Sequence, residues 1–563
     1  MLVTNDAAVQ SEAATRPAAN IAAPQPATWW IIVVIALVAY LLPLRVLLHA
    51  PGAAMEEGFM LVFPDRVLHG AIPNKDFLYL YGPGSLWALA AVYKVFGTSL
   101  VVERLAGLTQ LVGLAVGAGM LTRWWGRSVA IAAVVLNVMF VMPSLQLIAI
   151  PWTGGAALAL GALVALLQAR HDAGGRWALI GGMLAGFAML FRIDIALALA
   201  LGGTAALWGL ARPIIKRAVI GTGIGLAPYL VHLATAGPAT VWRGMLIDPM
   251  IHLRAARHLP VPPDPGRLVG VARVIAAVDR AWPLPRLTPA QQLFVWFVLL
   301  AFLAVALVAF GIWRVRRDPS AFRPRVLLAG ALFGLGMFPQ AVQRADSAHL
   351  AWVSGTVVVL LPAALADAIT LVRPGWRMSR VGIGAGVGVV VAVSLLFPTY
   401  TARRYVSAVQ DSVHLPTTID ITNEGRTWYV GDDPGLARSI DALLRAVERD
   451  VQPGTRVIVG NTDMRRVPYN DTFLYYLLPR YVPGTASMEF EPGLTNRRGT
   501  TLTAEMERAD AFIASDRWLS WDEPNDSMKP GDPGPAGVLH RDFCLKDDFG
   551  NGFELFLRCT PVQ

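Results

Sequence analysis

The chain has 563 residues, 55% of them hydrophobic and only 15% charged, with a mean hydropathy of +0.50. A soluble domain is about 45–50% apolar and about 25% charged, so this composition excludes a wholly soluble protein. The formal charge of +9 does not point to nucleic acid, because the basic residues fall mostly in short loops between apolar runs, where they set membrane topology.

Residues 1–28 are rich in Ala, Pro, Gln and Thr and read as a disordered cytoplasmic tail. Apolar runs then predict membrane helices at roughly 29–48, 101–122, 128–142, 152–169, 177–191, 195–211, 218–236, 291–313, 326–342, 349–371 and 381–398, about eleven crossings in all. A shorter run, Ser85 to Phe96, either dips into the membrane or spans it. The first run has no small-residue cleavage site after it and is expected to remain as a helix.

Directly after that run come Glu56 and Glu57. Ionisable groups at the membrane border mark sites by default. Adjacent carboxylates raise the pKa of at least one member unless screened. Such a group can act as general base on a hydroxyl, or help to hold a divalent cation such as magnesium or manganese; a solvated acidic loop is the plainer reading. The segment from Gly58 to Gly70 is apolar with Asp65, Arg66 and His69 interspersed, as suits a helix lying in the interface. Asp76, Tyr79, Tyr81 and Gly82-Pro83 follow, with aromatics at headgroup level.

Further along, Arg192 and Asp194 close one span, and Arg344, Asp346 and His349 lie between two others. An arginine at the lipid border can hold a phosphate through two parallel hydrogen bonds; the plainer reading is a snorkelling arginine neutralised by its aspartate. The 237–290 loop carries Arg243, Asp248, His252, Arg254, Arg257 and His258 and reads as an exposed loop. His232 and Asp367 are isolated polar residues within or at the ends of spans. Loops rich in arginine, such as Arg314 to Arg325 and Arg373 to Arg380, predict a cytoplasmic face. Glu56-Glu57, the Arg192 and Arg344 clusters and everything after residue 398 then lie outside a plasma (inner) membrane.

From residue 399 to 563 the composition becomes that of a small α/β domain. Leu436 to Val451 has helical spacing, Arg456 to Gly460 and Ala511 to Ser515 read as buried strands, and Phe553 to Arg558 as an edge or hairpin strand. The only two cysteines, Cys544 and Cys559, lie in this part; they form either a disulfide or two buried thiols. Asn470-Asp471-Thr472 matches a short glycosylation pattern.

A span, an acidic pair, an apolar segment ending Leu68-His69-Gly70, then Ile72-Pro73-Asn74-Lys75-Asp76-Phe77 and Tyr81-Gly82-Pro83: this order resembles the first extracytoplasmic loop of the GT-C superfamily. Those multi-span glycosyltransferases use polyprenyl-phosphate sugars. The resemblance implies an all-α membrane bundle carrying a small α/β domain, with Glu56 or Glu57 as the base. It also implies a polyprenyl-phosphate sugar as donor, a cell-envelope glycan, lipid or protein as acceptor, and inversion at the sugar. Arg192, Arg344 and His349 would bind the donor phosphate, supported by Asp76, Tyr81, Asp194 and Asp346. Many members have an aspartate in the pair where this chain has two glutamates. A transporter or flippase of lipid-linked saccharides is the alternative, but its ionisable residues would gather at the bilayer midplane and not at one surface.

Overall fold

The computed structural model describes residues 27–172, 174–276, 287–521 and 523–559; the expected tail falls outside them for all but its last two positions. Eight of the described helices are long and apolar enough to cross a membrane, and four shorter apolar helices, Trp29–Leu41, Gly84–Phe96, Arg176–Phe191 and Ile193–Leu207, accompany them. The chain is thus a polytopic helical membrane bundle with a small sheet region at its C-terminal end. Several expected spans are interrupted. Pro43 stops the first helix at Leu41 and a short helix, Leu44–Leu48, resumes it, because proline lacks the N–H that the helix ladder requires. Gly84–Phe96 has 13 residues, about 20 Å of helix, which is less than the hydrocarbon thickness of about 30 Å.

Close packing in the bundle depends on glycine. A Cβ on Gly182 would sit 2.0 Å from the Ala218 carbonyl oxygen, and one on Gly221 would sit 2.1 Å from that of Leu179. The helices Arg176–Phe191 and Arg212–Leu226 therefore approach backbone to backbone, as small residues permit where lipid supplies no hydrophobic drive. Asp367 is not isolated: it accepts from Arg314 at 2.6 Å and from the Trp125 indole at 3.4 Å, joining three helices.

The helix Glu56–Leu68 forms as expected but does not lie open in an interface. Glu57 through Pro64 are all buried, sandwiched between the bundle and the short helix Phe473–Leu477. Gly58 makes this approach possible, since a Cβ there would meet the Phe473 amide nitrogen at 2.5 Å.

In the C-terminal region a five-stranded sheet has the order Val482–Pro483, Arg456–Gly460, Ala511–Ser515, Phe553–Arg558, Phe543–Gly550. The first three strands are parallel and the last two antiparallel to their neighbours. Phe553–Arg558 is thus an inner strand of a hairpin, and Phe543–Gly550 forms the edge. Cys544 and Cys559 are joined in a disulfide across that hairpin. The amphipathic helix Pro434–Asp450 covers one face, beginning at Asp433, whose carboxylate accepts from the Leu436 amide.

Candidate active site

The two adjacent glutamates part company in the structure. Glu57 is 1% exposed and fully engaged. Arg104 Nε donates to its Oε1 at 2.6 Å and Arg104 Nη2 to its Oε2 at 2.9 Å, while the Ala53 amide donates to Oε2 at 3.0 Å. Arg104 also donates to the Leu47 and Leu48 carbonyls. The pair therefore ties the end of the first span to the helix Glu56–Leu68 and to the span that starts at Leu100.

Glu56 faces the other way and is only half-buried. The Tyr469 hydroxyl lies within hydrogen-bond reach of its carboxylate, and Arg257 and Glu491 are its charged neighbours. Burial lifts the Glu56 carboxyl above the ordinary glutamate range, although Tyr469 and Arg257 pull it down. This is the environment of a tunable base.

Arg257 is 7% exposed, so the expected exposed loop is corrected. Its segment folds as Pro238–Trp242, an 11-residue π-helix Arg243–Leu253, and Arg254–Arg257. Arg257 donates to Glu491 at 3.1 Å and to the Pro468 carbonyl at 2.9 Å. Glu489 is buried beside Glu491, and burial together with Glu491 and Glu56 pushes its carboxyl well above the usual range. Between them Phe490 holds φ at +54°, a region phenylalanine seldom adopts. Its ring packs on Gly460, and the bend sets the two flanking carboxylates side by side.

These groups sit beyond the carboxyl ends of the parallel strands, where open α/β sheets place ligands. Asn470 anchors the loop by donating to the Val459 and Met488 carbonyls at 3.0 and 2.8 Å. Asn470, Asp471 and Thr472 are fully buried, so the glycosylation pattern is closed off in the folded chain.

The two arginine clusters of the bundle reach the same region. Arg192 pairs with Asp194 at 2.6 Å and lies 4.8 Å above the Tyr81 ring and 5.6 Å from that of Trp352. Tyr81 in turn feels the charges of Arg192, Glu489 and Glu491. Gly82 lets this loop close on the end of the helix Arg176–Phe191: its amide donates to the Phe191 carbonyl at 3.1 Å, and a Cβ would be 2.0 Å from the Leu190 oxygen. His349 donates to or accepts from Asp346 at 2.8 Å, and its ring lies 4.3 Å from that of Trp352. Arg344 is held by Asp346 at 3.1 Å and Glu523 at 2.7 Å and also donates to the Arg257 carbonyl at 3.4 Å. Burial opposes the Glu523 ionised form, but Arg344 and Arg257 outweigh it and hold that carboxyl below its usual range.

Glu56, Tyr81, Arg192, Asp194, Arg344, Asp346 and His349 thus belong to one connected polar enclosure. Asp76 does not: it is exposed and accepts from its own loop's Ile72 amide at 2.7 Å. Arg257, Tyr469, Glu489, Glu491 and Glu523 complete the arrangement and, like Arg104 behind Glu57, were not singled out from the sequence, apart from Arg257 among its loop's basic residues. No local pattern marks the rest; only the sheet's loops bring them to the bundle. Among the described residues no group of three or more His, Cys, Asp or Glu side chains is placed to hold a metal ion, and the positive charge beside Glu56 comes from Arg257.

No protein-family model matches the chain, and no curated protein is significantly similar to it. Among solved structures it is similar to ArnT from Cupriavidus metallidurans bound to undecaprenyl phosphate, with 13% identity and a TM-score of 0.52 over 95% of this chain and 99% of that one. It is also similar to ArnT from Cupriavidus metallidurans in the apo state, with 15% identity and a TM-score of 0.51 over 94% and 98% of the two chains. Identity at this level is a likeness of architecture, and it extends over nearly the whole of both molecules: this chain has the fold seen in those two ArnT structures.

Proposed function

We propose that the chain is a membrane glycosyltransferase that moves a sugar from a polyprenyl-phosphate donor to a hydroxyl of an extracytoplasmic cell-envelope acceptor. The observation that carries this reading is the convergence of a half-buried, raised-pKa carboxylate, Glu56, with Arg192 across Tyr81 and Glu489, in a fold whose solved neighbour is bound to undecaprenyl phosphate. In the reaction, the acceptor oxygen attacks the anomeric carbon while Glu56 takes its proton. The bond from that carbon to the phosphate oxygen breaks, and the electron pair leaves with polyprenyl phosphate. A single displacement of this kind inverts the anomeric centre.

Arg192 is the arginine best placed for the departing phosphate. Its partner Asp194 has a side chain 42% exposed, so water can take over that carboxylate when phosphate arrives. Arg344 is enclosed by two carboxylates that are 4% and 1% exposed; it positions Arg257 and Glu523, and His349 positions Asp346. Fixed charge aimed at a developing anion is the largest single catalytic contribution in many enzymes.

The test is transfer of labelled sugar from a polyprenyl-phosphate donor in membranes carrying the chain. Arg192→Gln should lower kcat/KM by about 10²–10³-fold, the usual loss for one such donor, with the protein still inserted and folded. Movement of labelled lipid across the bilayer with no new glycosidic bond would assign the chain to transport instead. A second check is pH. Glu56 must be ionised to act, so the rate should fall as pH drops through its raised pKa, at a higher pH than an ordinary glutamate would give. An acid limb at the unperturbed glutamate position would rule this group out as the base.

A further inference from the structure

A cavity lies apart from the polar cluster just described. Its volume is about 290 Å³, and its wall is built from the end of the first span (Val46 to Pro51), the end of the helix Arg127–Leu145, the helix Ala402–Val413 and the open end of a separate two-stranded hairpin, Ile419–Asn423 with Arg426–Gly431, near Thr418 and Gly431. Arg404, Ser407, Ala408 and Asp411 of the helix Ala402–Val413 all line it. They fall at i, i+3, i+4 and i+7 and so form one stripe.

The depth of that stripe follows from two hydrogen bonds. The Tyr405 hydroxyl donates to the Ala39 carbonyl at 2.7 Å, and the Val46 amide donates to the Ser412 hydroxyl at 3.0 Å. The helix therefore runs alongside the first span in the same direction as that span leaves the membrane. Arg404 is level with the apolar part, where Val38, Leu41 and Leu42 are exposed, and Asp411 lies nearer the end of the short helix Leu44–Leu48.

The cavity contains polar groups that the protein itself does not satisfy. Ser407 is 4% exposed, and its buried hydroxyl has no hydrogen-bond partner; the Thr418 hydroxyl is in the same condition. Buried hydroxyls left unpaired are costly and favour a bound partner. Arg404 has no hydrogen bond or ion pair among the described residues, and Asp411 is its charged neighbour. The remaining wall combines apolar Leu47, Met142, Pro143, Leu415 and Pro416 with His49, Gln146, Thr417 and Asp432. One guanidinium and two unpaired hydroxyls, set against the carboxylates of Asp411 and Asp432 further along the wall, offer donors for a phosphate whose lipid chains follow the apolar residues beside Arg404.

We propose that this cavity is a binding site for the phosphate headgroup of a membrane phospholipid, separate from the sugar-transfer enclosure. Because its walls come from both the bundle and the hairpin, the bound lipid would fasten one to the other. The site stands whether or not the chain transfers sugar.

The experiment uses the full chain in detergent and follows Tm against four additions: short-chain phosphatidylglycerol, short-chain phosphatidylcholine, short-chain diacylglycerol and inorganic phosphate. Either phospholipid should raise Tm by about 3 °C or more at saturation, while diacylglycerol and inorganic phosphate should not. Arg404→Gln should weaken the phospholipid effect at least about tenfold in concentration. Ser407→Leu fills the hollow without removing support from the fold and should abolish the effect; it decides the matter if Arg404→Gln does not fold. An equal shift with inorganic phosphate would assign the cavity to the free anion, and an equal shift with diacylglycerol to an apolar chain. Those results, no shift with either phospholipid, or a shift that survives Ser407→Leu, would each overturn the proposal.

Discussion

Glu56→Gln is expected to lower the rate of sugar transfer by about 10²–10⁴-fold, the span of a general-base contribution, while the protein inserts and melts as before. The amide keeps the size and the hydrogen-bonding capacity that meet Tyr469 but cannot accept a proton. Stability should hold because Glu56 is half-buried, has no ion pair among the described residues and gains by losing a charge that burial disfavours. Replacement should also relieve Glu489 and Glu491 of a like-charged neighbour. Single-turnover transfer measured beside Tm separates the two effects. Full activity in Glu56→Gln would remove the base assignment.

The neighbouring substitution should behave in the opposite way. Glu57→Gln leaves the Arg104 guanidinium, 1% exposed, without its counter-charge. Breaking a buried pair by removing one partner costs about 3–5 kcal/mol, so the variant should show a lowered Tm or fail to accumulate in the membrane. Any molecules that do fold should retain transfer per molecule, because Glu57 does not face the enclosure. The double variant Glu57→Leu with Arg104→Met should recover part of the lost stability, since apolar side chains of similar volume often replace a buried pair without net cost. Recovery should be incomplete, because Ala53, Leu47 and Leu48 lose hydrogen bonds that the pair supplied. A Glu57→Gln protein of normal stability and no activity would reverse the roles given to the two residues.

That two adjacent glutamates differ so sharply shows where reading along the chain stops. Along a helix, successive residues point about 100° apart. Near the start of Glu56–Leu68 this turns Glu57 toward Arg104 in the bundle and Glu56 toward the loops of the sheet region. Nothing in Met55-Glu56-Glu57-Gly58 says which carboxylate is satisfied internally, because the deciding partners lie 47 positions away for one and in the C-terminal region for the other. Arg257 was hidden for a similar reason. Its loop is polar and rich in proline, as exposed loops are, yet Glu491 and Pro468 from distant segments close over it.

The amino-acid sequence by itself determined the class of the molecule and its plan: apolar runs long enough for lipid, arginine confined to short loops, and a change of composition near residue 399. These are properties of local composition and periodicity, which act before any long-range contact forms. Tertiary structure alone decided which acid pairs with Arg104 and which meets Tyr469 and Arg257, that the partner of Arg192 is more exposed than those of Arg344, and that the sheet's loops supply Tyr469, Glu489, Glu491 and Glu523. Burial and charge pairing depend on what arrives from the far side of the fold, and a buried ion is tolerated only when such a partner is in place.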